Sequence, residues 1–371
     1  VDDSIYYHAA DIDSYLRGVR ARVDAARCDL QAGDRVWIAE GNSAFTLTPD
    51  AQAPATRAVL MAHGLTDTPF SLRDIAQYFQ QRGFYVLTMQ LPGHGTRPGD
   101  LLDIRWQDWA RSHQHLLELL QARCQQVYLL GYSAGATLSL YQALRNPSIL
   151  GLFLFSPAMS ISPLARLAGP LDRLGRYWPR LRWFDVQPDT DCFKYESLPN
   201  RAVAEAYRLT RVLRQLEELS ERRTPLFVAA SEQDATLDSR ATLDWFSQQI
   251  APRRLLYYTT GQPQVPEFVR CIPSCLPELG IRSFSHNALI QSPHNLHYGA
   301  NGRQRSCLHY YNTDSIKYTR CRAGEEDCLG EMFDAAADCQ VLRRLSYNPL
   351  YQNLLEELDG FIERCCPVPL E

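Results

Sequence analysis

The chain has 371 residues, 45% of them hydrophobic and 22% charged, with 38 Lys and Arg against 42 Asp and Glu for a net charge of -4. That is the composition of an ordinary globular protein, with room for one sizeable α/β domain carrying an insertion or for two small domains. Nothing in it points to a nucleic-acid partner, because no basic run stands ready to neutralise phosphates, and the longest apolar stretches, such as Leu150 to Phe155, are far too short to span a membrane.

Residues 1–56 read as an entry segment. Ile12, Leu16, Val19 and Val23 recur at helical spacing and predict a helix from 11 to 26. Arg35 to Ile38 and Ala44 to Thr48, separated by Glu40-Gly41-Asn42, read as a hairpin. From Thr56 the chain alternates: a strand at Ala58 to Ala62, a helix at Phe70 to Gln81, a strand at Phe84 to Met89 and a helix at Trp106 to Ala122. The apolar run Val127 to Leu130 then leads into a helical stretch from Ala136 to Leu144, followed by a strand at Leu150 to Phe155. Such alternation demands crossover connections, and so predicts an α/β fold with a mainly parallel sheet and helices on both faces.

Between Ser156 and Thr224 the rhythm stops. Leu164, Leu167, Leu171, Leu174, Trp178, Trp183 and Phe184, with a helical run from Arg201 to Arg222 and no convincing strand, read as a helical insertion over 157–224. Alternation resumes with a strand at Leu226 to Ala230, a helix at Ser239 to Ile250 and a last strand at Arg254 to Thr259. Residues 261–330 are rich in Pro, Gly, Asn, His and Cys and read as long ordered loops, and two helices at 331–345 and 349–364 close the chain.

Cysteine is unevenly placed. Cys28, Cys124 and Cys192 are scattered, whereas all the others lie at or beyond Cys271. Loop-rich sequence with few apolar residues gains most from cross-links, so the crowding predicts at least two intrachain disulfides and an exported protein. The alternatives are reduced thiols in a cytosolic enzyme, or a zinc site from Cys271, Cys275 and a later pair; the separations lack two clean C-x-x-C knuckles. The chain begins at Val1, without an initiator Met or a visible signal peptide.

Residues 131–135 read Gly-Tyr-Ser-Ala-Gly between a predicted strand and a predicted helix. A strand, a tight turn and a helix in that order can hold a serine hydroxyl exposed at a sheet edge, which makes Ser133 the candidate nucleophile; the bland reading is a serine at a helix start. A serine hydroxyl needs a base, a carboxylate to orient that base, and donors for the developing oxyanion. Asp234, just after the strand Leu226 to Ala230, is the carboxylate candidate, with Glu232 and Asp238 as rivals; Asp238 sits where it can cap the next helix. Beyond the last strand, His286 in Ser-Phe-Ser-His-Asn-Ala-Leu-Ile is the base candidate, with His294, His297 and His309 in loop contexts as its rivals. The backbone N–H groups of Leu65 and Ala134 are the candidate oxyanion donors. His63, at the end of its strand, is expected to shape the loop by hydrogen-bonding backbone.

His63-Gly64-Leu65-Thr66, Leu91-Pro92-Gly93-His94-Gly95, Gly-Tyr-Ser-Ala-Gly, Asp234 and His286, in that order, resemble an α/β-hydrolase. The likeness is to the branch holding bacterial carboxylesterases and monoacylglycerol-lipase-like serine hydrolases, and it runs from about 57 to 290. It implies a core at 57–156 and 225–371 with Cys-rich loops at 261–340, a helical cap at 157–224 and an N-terminal extension at 1–56. The implied chemistry is acyl transfer through Ser133, His286 and Asp234, without cofactor or metal, on a small ester or lipid-like substrate: short to medium acyl esters, including monoacylglycerols and lysophospholipids. The same triad also serves thioesterases and peptidases, and a hydrolase fold can be a silent binding module. The extension, the long segment before His286 and the Cys-rich stretch from 299 to 340 depart from the family's pattern.

Overall fold

The computed structural model describes residues 5–27, 32–50, 55–161, 163–218, 223–307, 311–332 and 339–365. The chain forms two compact units, one of residues 1–153 and 161–224, the other of residues 154–160 and 225–371. The insertion therefore groups with the first half of the chain.

In the first unit, β1 (Thr46–Leu47), β2 (Arg57–Ala62), β3 (Phe84–Met89), β4 (Gln126–Tyr132) and β5 (Ile149–Phe155) are ordered β1-β3-β2-β4-β5. β2 lies parallel to both β3 and β4, with Ala62 opposite Met89 on one side and Gly131 on the other. Ala58 to Ala62 are all fully buried, as expected of a central parallel strand covered on both faces, where apolar residues run on without alternation. α4 (Arg73–Gln81), α5 (Trp106–Arg123) and α6 (Ala134–Arg145) follow the strands as expected. α2 (Ile12–Ala26) opens with a capping box, Asp11 accepting the Ser14 N–H at 2.7 Å.

The expected hairpin at 35–48 is not formed. Its first arm lies in a helix, α3 (Ala32–Gly41), and its second contains β1, which pairs antiparallel with the edge of β3. Packing decides the matter: the Trp37 ring lies edge-on to Phe193 at 4.7 Å and to Phe70 at 6.0 Å, and those two rings stack at 3.8 Å. α3 ends at Gly41, where a Cβ would meet the Phe193 ring at 2.1 Å. The same region closes on the end of β3. The Tyr15 hydroxyl accepts the Gln90 N–H at 2.9 Å, and the Gln90 side chain donates to the carbonyls of Asn42 and His94.

The insertion carries α7 (Ala168–Leu174) and α8 (Asn200–Glu217), and also a strand pair the sequence reading omits, β6 (Trp183–Asp185) against β7 (Leu198–Pro199). One of its buried clusters is built from small residues, Ala165, Ala168, Val203 and Ala204, while Phe193, Tyr195, Leu209 and Leu213 are buried as well. Leu164, Leu167, Leu174, Tyr177, Trp178 and Phe184 are exposed.

In the second unit β8 (Leu226–Ser231), β9 (Arg253–Thr259) and β10 (Val269–Pro273) are parallel neighbours in that order. β9 is thus not the last strand of the sheet. Part of the expected loop region instead forms β10, α10 (Ile316–Ala323) and β11 (Cys328–Gly330). The helix expected at 331–345 is replaced at its end by β12 (Leu342–Arg344), parallel to β11, while residues 333–338 lie outside those described. Two disulfides, Cys307–Cys321 and Cys328–Cys339, staple this region. α11 (Tyr351–Cys365) ties to β9 and β10 through Glu357, which pairs with Arg254 at 3.1 Å and with Arg270.

Candidate active site

Ser133 sits between β4 and α6 with φ 56° and ψ -120°, a conformation few residues with a Cβ adopt. Its carbonyl starts the helix by accepting the N–H groups of Ala136 at 3.0 Å and Thr137 at 3.3 Å. Both glycines of the pattern are required by space. A Cβ on Gly131 would lie 2.3 Å from Ala136 Cα, and one on Gly135 would lie 2.2 Å from the Ala62 carbonyl oxygen. The turn is thereby driven against the end of β2.

The loop after β2 approaches the same serine. Gly64 lies so near that a Cβ there would be 3.1 Å from the Ser133 Cβ. The next residue, Leu65, is half-buried within a turn that the Asp67 N–H closes on the Gly64 carbonyl at 3.3 Å, with Thr66 at φ 62°. Ala134 opens α6, where the first amides have no acceptor within their own helix and present a partial positive charge. His63 pins this arrangement: its Nδ1–H donates to the Gly64 carbonyl at 2.9 Å and its Nε2 accepts the Leu91 N–H at 3.1 Å. Burial, and His94 beside it, hold its pKa well below the ordinary imidazole value, so it is neutral and both nitrogens are engaged. It shapes the loop, as the sequence reading expects.

In the second unit Asp234 follows β8. Its Oδ1 accepts the N–H groups of Thr236 at 2.7 Å and Leu237 at 3.0 Å, closing a turn that fixes the carboxylate. Its Oδ2 accepts His286 Nδ1–H at 2.6 Å, with both side chains buried. That hydrogen bond assigns the tautomer and leaves His286 Nε2 as the ring's lone-pair nitrogen.

Two rival carboxylates are engaged in other contacts. Asp238 caps α9 (Ser239–Ser247) through the Ala241 N–H, and Glu232 accepts the Thr259 hydroxyl. His294 is exposed, His297 is buried, and His309 lies outside the described residues. The first unit thus brings Ser133, Ala134, Gly64 and Leu65 together, and the second brings Asp234 and His286 together.

Two contacts on the His286 peptide were not anticipated from sequence. Its N–H donates to Glu331 Oε2 at 3.2 Å, and its carbonyl accepts the Ser156 hydroxyl at 3.3 Å. Ser156, at φ 43°, follows β5 as Thr66 and Ser133 follow β2 and β4, so its position at a strand end was a usable signal. Glu331 offered none, because it lies in the stretch read as a helix.

The Hydrolase_4 family model, described as serine aminopeptidase, S33, matches residues 53–261. A thermostable monoacylglycerol lipase of Bacillus sp. (strain H-257) is 32% identical over 151 residues, 41% of this chain and 60% of that protein, so the match spans less than two thirds of the relative. Among solved structures, a soluble variant of the Saccharomyces cerevisiae monoglyceride lipase with a substrate analog superposes with a TM-score of 0.49 at 13% identity, covering 58% of this chain and 82% of that one. The Paleococcus ferrophilus monoacylglycerol lipase gives 0.47 at 18% identity, covering 58% and 88%.

Proposed function

Because the chain belongs to the Hydrolase_4 family of the serine aminopeptidase S33 type, with the α/β-hydrolase fold, we propose that it is a serine hydrolase that cleaves carboxylic esters. Short to medium acyl esters are its substrates, with monoacylglycerols and lysophospholipids the first to test. The observation that carries the reading is the backbone of Ser133, held at positive φ at a strand-to-helix turn whose glycines leave no room for a Cβ. The likeness to a monoacylglycerol lipase supports the choice of ester.

In this mechanism His286 Nε2 takes the Ser133 hydroxyl proton as the oxygen bonds to the ester carbonyl carbon. Asp234 holds Nδ1–H and stabilises the imidazolium. The N–H groups of Leu65 and Ala134 receive the oxyanion; the carbon–oxygen bond to the alcohol then breaks, and the imidazolium protonates the departing alkoxide. Water, deprotonated by the same imidazole, releases the acid. Residues 157–224 act as a cap that sets access to this centre. No described helix is long and apolar enough to cross a membrane, and the two disulfides support an oxidising, exported setting.

The family description favours one second reading, a peptidase using the same residues. A panel of p-nitrophenyl esters, monoacylglycerols, acyl thioesters and aminoacyl p-nitroanilides separates the two. Turnover confined to the anilides replaces the esterase reading with the peptidase one. Fluorophosphonate labelling that survives Ser133→Ala sinks both.

A further inference from the structure

Resting on the reading of His286 as the general base, we propose that Glu331 is a positioning residue for it, and that the Glu331–Arg344 pair couples the His286 loop to the Asp234 loop. Glu331 Oε2 accepts two donors at once, the His286 N–H at 3.2 Å and Arg344 Nη2 at 3.1 Å. Both side chains are buried, Glu331 at 1% and Arg344 at 9% exposure, where a lone charge would be poorly tolerated, so each fixes the other. The same Arg344 nitrogen donates to the Thr236 hydroxyl at 3.2 Å, and the Thr236 N–H is one of the two that hold Asp234 Oδ1. One ion pair therefore touches both loops whose side chains meet in the 2.6 Å hydrogen bond.

The pair is itself mounted rigidly. Glu331 directly follows β11 and Arg344 ends β12, with Gly330 in register with Arg344. The Cys328–Cys339 disulfide joins the first residue of β11 to the approach to β12. The Ser283 hydroxyl accepts the Glu331 N–H at 3.2 Å, and the Ser285 hydroxyl donates to the Leu345 carbonyl at 2.5 Å, so the segment leading into His286 rests on the ends of both strands. The remaining Glu331 oxygen accepts the Met332 N–H. The stapled segment thus acts as a brace behind the base. A base displaced by even an ångström loses rate without any change in what binds substrate.

The test compares Glu331→Ala with Glu331→Gln in the oxidised 371-residue chain, reading kcat and KM on p-nitrophenyl butyrate and the rate of fluorophosphonate labelling. The alanine variant should lose kcat and labelling rate by roughly 10²-fold at unchanged KM. The glutamine variant, which keeps an oxygen for the His286 N–H, should recover most of that loss. Turnover of Glu331→Ala within twofold of the parent, or equal loss in the two variants with KM rising in parallel, overturns the proposal. If the alanine variant does not fold, Glu331→Met against Glu331→Gln decides on the same ratio, since Met fills the volume without an acceptor. His286→Ala runs alongside: near-normal turnover there removes the base reading itself, whereas an inactive His286→Ala beside a fully active Glu331→Ala removes only the brace.

Discussion

Gly64 and Ser133 are in direct apposition, with 3.1 Å between the Ser133 Cβ and the place a Cβ would take on Gly64. Tyr132 bounds the same space at 3.4 Å, so a methyl group at Gly64 must push the candidate oxyanion loop away from the serine. Gly64→Ala should fold and lose kcat/KM by roughly 10²-fold. Gly135→Ala presses on the backbone oxygens of Ala62 and His63, which cannot move aside, and should cost about 1–3 kcal/mol of stability. Gly99→Ala has nothing within 4 Å and serves as the control. Steady-state kinetics with thermal melts check all three; a fully active Gly64→Ala would show that the loop gives way freely.

Strain at Ser133 predicts a gain in stability from an inactivating change. A non-glycine residue held in a sparsely populated region of φ and ψ costs on the order of 1–3 kcal/mol. Ser133→Gly should abolish fluorophosphonate labelling and raise the unfolding free energy by about 1 kcal/mol, after the added chain entropy of glycine. Denaturant titration decides, and a less stable glycine variant counts against stored strain.

Buried titrating groups set the acid response of the first unit. Burial keeps His63 well below the ordinary imidazole value, His94 at about 4 and His113 at about 3. The unfolded chain takes up protons near pH 6.5 while the native state refuses them, so stability is full above that pH and falls as the medium is acidified. Asp67 acts oppositely. Burial raises its carboxyl from 3.8 to about 6, so its contribution is present below pH 3.8 and is lost as pH rises toward 6. Three groups outweigh one, and unfolding midpoints should drop between pH 6.5 and 4. Asp67→Asn removes the opposing group and should steepen that decline by about 1.4 kcal/mol per pH unit. Parallel curves for the two proteins would contradict the assignment.

The two disulfides predict a thiol count. Among the described residues four cysteines are paired, so titration of the denatured, unreduced chain of eleven cysteines should find no more than seven thiols (11 − 4), and reduction should restore eleven. Each bridge closes a short loop, of 14 and 11 positions, and contributes on the order of 3 kcal/mol. Eleven reactive thiols before reduction would contradict both bridges.

Much of the sheet was legible because its strands are apolar runs with no competing period, as in Ala58 to Ala62 and Leu226 to Ala230. Ser133 and Asp234 were legible for a related reason, since each lies just beyond such a run. α3 was missed because Val36-Trp37-Ile38 suits a helix or a strand equally, and Phe193, far away in sequence, makes the choice. β10 and β12 were missed because they contain Pro273 and the Arg343-Arg344 pair, residues that argue against strands unless buried partners are known. Glu331 lies 45 positions from the peptide it holds, and no local pattern links them.

The family match begins at residue 53, yet the buried core begins well before it. Tyr6, Tyr15, Val19 and Val23 are fully buried, Tyr15 is bonded to the peptide that follows β3, and Trp37 closes over the stacked Phe70 and Phe193. Shortening the chain to its recognisable portion would strip solvent protection from the end of β3, and such a fragment should be recovered as aggregate. The leading helices thus lie outside the span of the family match and yet supply part of the buried core of the first unit.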